Sequence, residues 1–230
     1  MHFGARSIAV NIDPQTALQN TKTLLLDMDG TLLDLAFDNY LWEELIPRHY
    51  AAQNSMSIEE GRDYMFEQYA AVQGDLKWYC LDHWRDLLGI DVMQLHHDSS
   101  HRIGYLAGAR EFLRSVHEQD IRVLLVTNAH PETLALKDAK TGLGQYFDGM
   151  YTSHAFGHAK EHQKFWHALQ DEVGFDRDTT MFVDDSQPVL RSAQEYGIGM
   201  LVTVSRPDST APLRCDLEFS DVEKVADLLL

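Results

Sequence analysis

Two aspartates two residues apart and followed by glycine, Asp27-Met28-Asp29-Gly30-Thr31, form the segment of this 230-residue chain with the most chemical content. In extended backbone alternate side chains share a side, so both carboxylates can face one place, and Gly30 then admits a turn that other residues resist. Two anions this close repel, and the pair is stable when a cation joins it or when one member keeps its proton. A hard, oxygen-seeking ion such as Mg²⁺ meets the first condition. The plainer alternative is that both aspartates only cap a loop, a common use of acidic residues where a strand gives way to a helix. Further polar groups strengthen the chemical reading. Thr127-Asn128 closes the apolar run Arg122-Val123-Leu124-Leu125-Val126, Asp184-Asp185-Ser186 closes Thr180-Met181-Phe182-Val183, and Lys160 lies between them after Phe156-Gly157-His158-Ala159. Three strand ends thus deliver a hydroxyl, an amide and four carboxylates to one rim. Taken alone, Lys160 could equally be a solvated surface lysine.

The elements that position these groups are legible as apolar runs. Thr23-Leu24-Leu25-Leu26, the runs before Thr127 and Asp184, and Met200-Leu201-Val202-Thr203-Val204 read as buried parallel strands. Helical patterns over 109–119, 131–141, 160–173 and 186–196 separate them, the last ended by Gly197. Alternating strand and helix predicts an α/β fold with a doubly wound, Rossmann-like parallel sheet, whose ligands sit beyond the carboxyl ends of the strands. One interval breaks the alternation. From residue 38 to 103 the pattern is helical throughout, which predicts an inserted helical domain between two parts of the core, 1–37 and 104–230. Ser57 with Glu60 forms a capping-box sequence opening a helix that runs to about Gln73, Gly89 ends a second that begins near Leu76, and Asp98-Ser99-Ser100 with Gly104 reads as the returning linker.

In order and spacing, the polar groups resemble the haloacid dehalogenase superfamily of phosphotransferases. Asp27 to Thr31 matches its Asp-x-Asp-Gly-Thr motif, Thr127 its second motif, Lys160 its third and Asp184-Asp185 its fourth, over residues 24 to about 204. The resemblance implies that the helical insertion is a cap domain. It also implies that Asp27 is a nucleophile forming an aspartyl-phosphate and Asp29 the acid and base. Thr127 and the backbone at Asn128 would hold the phosphoryl oxygens, with Lys160 neutralising their charge. Mg²⁺ would be held by Asp27, the Asp29 main-chain carbonyl, Asp185 and, directly or through water, Asp184. Ala159 stands where many relatives carry proline before the lysine, and Lys164, one turn on, is the fallback for Lys160. Asp29 argues against dehalogenation, which does not need a second carboxylate. Leu33 to Tyr40, Trp78 to Asp82 and Thr127 to Pro131 resemble a narrower group, the bacterial GMP/IMP nucleotidases, so the implied substrate is a purine nucleoside 5′-monophosphate. The alternatives are a phosphatase or phosphomutase for a sugar phosphate or another small phosphometabolite, and, from a different class, a weakly catalytic interaction protein.

Residues 38–103 hold nine aromatics, Tyr40, Trp42, Tyr50, Tyr64, Phe66, Tyr69, Trp78, Tyr79 and Trp84. Most are expected to be core of a small bundle, with one or two free to stack on a purine. The five cations of this interval, Arg48, Arg62, Lys77, Arg85 and Arg102, are expected to be mostly solvated, which favours a monophosphate over a diphosphate. Asn39 could contact substrate or serve a turn. His130 could border the phosphate or start the helix with Pro131. His96, His97 and His101 have spacings that could chelate zinc on a helix, although closely spaced exposed histidines are more often incidental.

With 19 Lys+Arg against 36 Asp+Glu, the net charge of −17 disfavours nucleic acid and anionic membranes as partners and leaves a small molecule. No stretch approaches the roughly 20 apolar residues of a spanning helix, and residues 1–20 lack the pattern of a signal peptide, so a cytoplasmic protein is expected. Cys80 and Cys215, the two cysteines, are too few for a disulfide framework or a thiolate metal site and are expected to be reduced.

Overall fold

The computed structural model describes residues 13–229; the expectation about a signal peptide falls largely on residues 1–12, outside them. Six parallel strands, β1 (Thr23–Leu26), β2 (Arg122–Thr127), β3 (Gly149–Thr152), β4 (Thr180–Asp184), β5 (Met200–Val204) and β6 (Ser220–Val222), form one sheet in the order β3-β2-β1-β4-β5-β6. The helices are α1 (Pro14–Gln19), α2 (Ala36–Asn39), α3 (Ile46–Gln53), α4 (Ile58–Val72), α5 (Leu81–Leu88), α6 (Val92–Ser99), α7 (Ala109–His117), α8 (Pro131–Thr141), α9 (Ser153–Phe156), α10 (Gln163–Val173) and α11 (Gln187–Tyr196). Chain order reverses direction at β1, which lies between β2 and β4. A crevice opens there beyond the strand ends, as in doubly wound sheets generally.

The sheet is covered on both faces, which explains why its central strands read as unbroken apolar runs. Leu24 and Leu26 point into one layer with Phe112, Leu113 and Val116 of α7 and Leu134 of α8. Leu25, with Leu124, Val126 and Phe182, points into the other, against Phe165, Trp166 and Leu169 of α10 and Val189, Leu190 and Ala193 of α11. Register brings the active ends level: Leu26 pairs with Leu125 and Val183, and the Asp27 N–H donates to Val183 O at 3.0 Å.

Between residues 38 and 103 every regular element is helical, and Leu41, Ile46, Met65, Trp84, Leu88 and Leu95 among others form a separate core that Phe37, just ahead of the interval, joins. The capping box at Ser57 and Glu60 is formed, and Gly89 ends α5 in left-handed backbone. A π-helical stretch, Tyr40–Leu45, joins α2 to α3. Several details differ from expectation. The helix expected from Leu76 to Gly89 is broken at Cys80, leaving a 3₁₀ turn, Leu76–Tyr79, before α5. Asp98 and Ser99 lie inside α6 and Ser100 in a 3₁₀ turn, so the segment returning to the core is 103–108. The α10 helix starts at Gln163, leaving Lys160 in the loop ahead of it. Two strands are additional: β3 begins with glycine and is partly exposed, and β6 is three residues long, so neither makes an apolar run.

A close approach of α3 and α4 in this insertion depends on a glycine. A Cβ at Gly61 on α4 would fall 2.7 Å from Ala51 Cβ and 2.9 Å from Pro47 O on α3. Gly→Ala inside a helix ordinarily gains up to about 1 kcal/mol in propensity, whereas overpacking costs about 1–3 kcal/mol. Gly61→Ala is therefore expected to lose about 1 kcal/mol net by urea unfolding; a gain would show that α3 and α4 separate freely.

Candidate active site

The ends of β1, β2 and β4 bring Asp27, Thr127 and Asp184 to the floor of one cavity of about 490 Å³, together with Asp29, Asn128, Lys160 and Asp185. Its upper wall comes from the helical insertion, including Trp42, Phe66, Tyr69, Trp78, Tyr79 and Trp84. A space of this size suits a small molecule.

Lys160 is 2% exposed and its ammonium spends all three donors: on Asp27 Oδ1 at 2.5 Å, Asp184 Oδ2 at 2.7 Å and Val126 O at 3.0 Å. Burial opposes its charge, but the Asp184 and Asp27 carboxylates outweigh that and keep it protonated. The loop carrying it is fixed without a proline. Lys160 N–H donates to Asn128 Oδ1 at 2.9 Å, Trp166 Nε1 donates to Lys160 O at 2.9 Å, and Ala159 is fully buried. Lys164 is exposed on α10 and is not a substitute. Asn128 therefore works through its side chain as a brace, its Nδ2 donating to Glu161 Oε2 at 3.0 Å. Thr127 Oγ1 accepts from Ala129 N–H at 3.0 Å, which shapes the loop leaving β2.

A second lysine is the main feature that sequence reasoning missed. Lys137, on α8 and 1% exposed, lies 2.7 Å from Asp29 Oδ1 and donates to both oxygens of Asp38 at 2.8 Å. The available signal was its place on the buried stripe of α8, four residues after Thr133 and three after Leu134. The paired aspartates are thus separated electrically, Asp27 on Lys160 and Asp29 on Lys137. Burial pushes the Asp29 carboxyl up, Asp38 pushes it further and Lys137 pulls it back, leaving it at about 6.

Asp27, Asp184 and Asp185 each offer a carboxylate oxygen within 4.8 Å of the others, a set able to hold a divalent cation. Burial drives all three carboxyls upward, and Asp185, next to Asp184, reaches about 7. Asp184 is committed on both oxygens, to Lys160 and to the Ser186 N–H at 2.8 Å, whereas Asp185 Oδ2 accepts from exposed Arg214 at 3.1 Å. Gly30 (φ +82°) lets the turn pass beside Asp185, where a Cβ would come within 2.7 Å of its Cγ. The site residues fit the ion chemically: the cavity lining carries six carboxylates (Asp27, Asp29, Asp38, Glu43, Asp184, Asp185) against two ammonium groups (Lys137, Lys160).

The remaining candidates fall into place. Asn39 lines the cavity while its Nδ2 donates to Asp208 Oδ2 at 2.7 Å, and it lies in α2 and not in a turn. His130 caps α8 and also lines the cavity. His96 is buried, its Nδ1 2.8 Å from Val92 O, whereas His97 and His101 are exposed, so the three do not converge on a metal. Arg48, Arg62, Lys77, Arg85 and Arg102 are all exposed. Among the aromatics, Tyr50 and Tyr64 stack on each other at 4.6 Å, and Trp84 and Tyr69 are buried in the insertion's core while reaching the cavity wall.

A phosphotransfer-type floor on a 3-2-1-4-5-6 sheet is the mark of one class, and the sequence match agrees: residues 21–197 match the haloacid dehalogenase-like hydrolases, and the chain belongs to that family. It is a hydrolase. Among curated relatives, it is 42% identical over 193 residues to the GMP/IMP nucleotidase YrfG of Escherichia coli (strain K12), covering 84% of this chain and 87% of that protein. The fold is shared with a HAD phosphatase from Thermococcus onnurineus (TM-score 0.74, 19% identity, 90% of this chain and 96% of that one). It is also shared with the L-2-haloacid dehalogenase from Xanthobacter autotrophicus (TM-score 0.63, 17% identity, 91% and 97%). Among the described residues no helix is long and apolar enough to cross a membrane.

Two predictions follow from the charges. Asp38 raises the proton affinity of Asp29 and Lys137 lowers it. If kcat/KM requires protonated Asp29, its high-pH limb should move down in Asp38→Asn and up in Lys137→Met; shifts in the same direction, or none, would remove Lys137 from control of Asp29. The second concerns stability in chelator. Folded Asp185 holds its proton up to about 7 against an ordinary value of 3.8, so its contribution to stability is lost as pH rises from about 4 through 7. Asp185→Asn is neutral throughout and should melt above the wild type at pH 8, with the gap closing at pH 5.

Proposed function

We propose that the enzyme is a Mg²⁺-dependent phosphomonoesterase that hydrolyses purine nucleoside 5′-monophosphates, GMP and IMP, through an aspartyl-phosphate on Asp27. The observation that carries this reading is the placement of Asp27, gripped through one oxygen by buried Lys160, on the polar floor of a cavity whose opposite wall is aromatic. The 42% identity to a GMP/IMP nucleotidase supports the substrate class.

Lys160 occupies Asp27 Oδ1, leaving Oδ2 to attack phosphorus in line. As the new oxygen–phosphorus bond forms, the bond to the sugar oxygen breaks, and protonated Asp29 supplies that oxygen with its proton. Water then attacks the phosphorus, Asp29 takes back a proton, and phosphate leaves with the Asp27 carboxylate restored. A carboxyl near 6 exchanges protons in both directions close to neutrality, which suits Asp29 to both steps. Thr127 and the backbone at Asn128 steady the phosphoryl oxygens, and Lys160 offsets their charge. Mg²⁺ would be held by Asp27, the Asp29 carbonyl and Asp185, with Asp184 contributing through water, and when bound supplies the positive charge a dianionic substrate needs among six carboxylates. Asp185 is the better direct ligand because its carboxylate answers only to an exposed arginine.

In this reading residues 38–103 are the cap and 1–37 with 104–230 the catalytic core. Trp42, Phe66, Trp78 and Tyr79 offer stacking surface to a base, worth about 1–3 kcal/mol per stacked base. Glu43 and Gln73 line the same cavity and can exchange hydrogen bonds with a base edge. The unpaired thiols of Cys80 and Cys215 suit a reducing, cytoplasmic setting.

Phosphate release should be measured from nucleoside monophosphates and sugar phosphates, with Mg²⁺ and with EDTA. The expected result is preference for GMP and IMP over pyrimidine nucleotides and sugar phosphates, loss of turnover in EDTA, and a loss of at least about a thousandfold in a folded Asp27→Asn protein. Preference for a sugar phosphate would overturn the substrate, and turnover in excess EDTA equal to the Mg²⁺ rate would overturn the role of the ion.

A further inference from the structure

Besides the carboxylate floor, a second group of metal-ligating atoms, one of them on His130 of the cavity wall, converges at the seam between the helical insertion and the sheet. Cys80 Sγ and one ring nitrogen each of His130 and His154 lie within 4.8 Å of one another, all half-buried. They come from three separate places: Cys80 precedes α5 in the insertion, His130 caps α8 beyond β2, and His154 lies on α9 beyond β3. The two imidazoles meet edge to face with centroids 4.9 Å apart. Both ring nitrogens of His154 are shielded from solvent and without a hydrogen-bond partner. An unsatisfied buried polar group is costly, and a ring left this way calls for a ligand. His130 Nδ1 accepts from the Glu132 N–H at 3.4 Å, a contact long enough to be exchanged for a metal bond at small cost.

We propose that Cys80, His130 and His154 form a binding site for a thiophilic divalent cation, represented by Zn²⁺, whose occupancy pins the insertion to the core. One thiolate and two imidazoles make a donor set of the kind zinc takes, with a fourth position left for water, and a poor one for Mg²⁺, which prefers oxygen. Zinc bonds of about 2.0–2.3 Å place tetrahedral ligands about 3.4–3.6 Å apart, so side-chain rotations of modest size complete the site. The Asp82 carboxylate, two residues beyond Cys80, acts electrostatically on His154 and adds negative charge beside the cation. The tie falls where the insertion already grips the core, since the hydroxyl of the neighbouring Tyr79 donates to Glu161 Oε1 at 2.7 Å.

The test is a titration of Mg²⁺-saturated, full-length protein with Co²⁺ and then Zn²⁺, comparing wild type with Cys80→Ser and His154→Gln. One Co²⁺ per chain should give a near-ultraviolet thiolate charge-transfer band that Zn²⁺ abolishes by displacement and that is missing from Cys80→Ser, although Cys215 remains. Each substitution should weaken Zn²⁺ binding by at least about tenfold, and Zn²⁺ should raise the melting temperature of the wild type more than that of either variant. Equal Zn²⁺ affinity in the three proteins, or a charge-transfer band that survives in Cys80→Ser, overturns the proposal. Either variant decides the affinity comparison if the other fails to fold. The consequence for turnover rests on the phosphatase reading: if the insertion must open to admit substrate, saturating Zn²⁺ should slow phosphate release in the wild type and less so in the variants. The binding and melting measurements stand whether or not phosphate is released, so failure of the site and failure of the phosphatase reading are separable.

Discussion

Repulsion among carboxylates governs this molecule. Asp27, Asp29, Asp38, Asp184 and Asp185 converge around the ends of β1 and β4, and burial makes each negative charge there expensive. The fold answers with two lysines sunk to 2% and 1% exposure, positions that a lysine occupies only when its charge is matched. Each lysine bridges carboxylates from separate parts of the chain: Lys160 joins the end of β1 to the end of β4, and Lys137 joins the turn after β1 to the start of the helical insertion. The balance is incomplete, since Asp185 is left with an exposed arginine and a carboxyl pushed up to about 7. Asp27, Asp184 and Asp185, with carboxylate oxygens within 4.8 Å of one another, form a set that could hold a cation.

Dividing the two aspartates between two lysines also divides their chemistry. Lys160 clasps one oxygen of Asp27 and counters, without cancelling, the upward push that burial gives its carboxyl. Burial raises the Asp29 carboxyl first of all, Asp38 adds to that, and Lys137, shared between the two, lowers it. Two identical side chains two residues apart therefore meet different lysines, 133 and 108 positions away in sequence.

The central strands and their terminal polar groups were legible because strands buried on both faces must be apolar throughout, and the first polar residue marks the sheet's rim. That rule locates Asp27, Thr127 and Asp184 directly. It fails for β3 and β6, which lie at the two edges of the sheet and can carry glycine, serine and aspartate. It also fails for Lys137, whose type suggests solvent and whose burial is decided by two carboxylates that only the folded chain brings near. Arg214, although exposed, escaped because only the folded chain brings it beside Asp185. Histidine spacing pointed toward residues 96, 97 and 101, yet one helix turned His96 into the aromatic core and left His97 outside, whereas Cys80, His130 and His154 meet from three elements that no local spacing connects.

The helical insertion is consequently more than a wall over the cavity. Asp38, at its start, raises the proton affinity of Asp29 and touches the lysine that lowers it, and Tyr79, near its middle, reaches Glu161. Glu161 in turn accepts from Asn128, and Asn128 accepts from the backbone of Lys160. Both buried lysines are thus braced by chains of contact that begin in the insertion. Moving it away would release one carboxylate from Lys137 and one hydroxyl from Glu161, loosening the same two charges on which Asp29 and Asp27 depend. The wall over the cavity and the electrostatics of its floor are thus built from the same contacts.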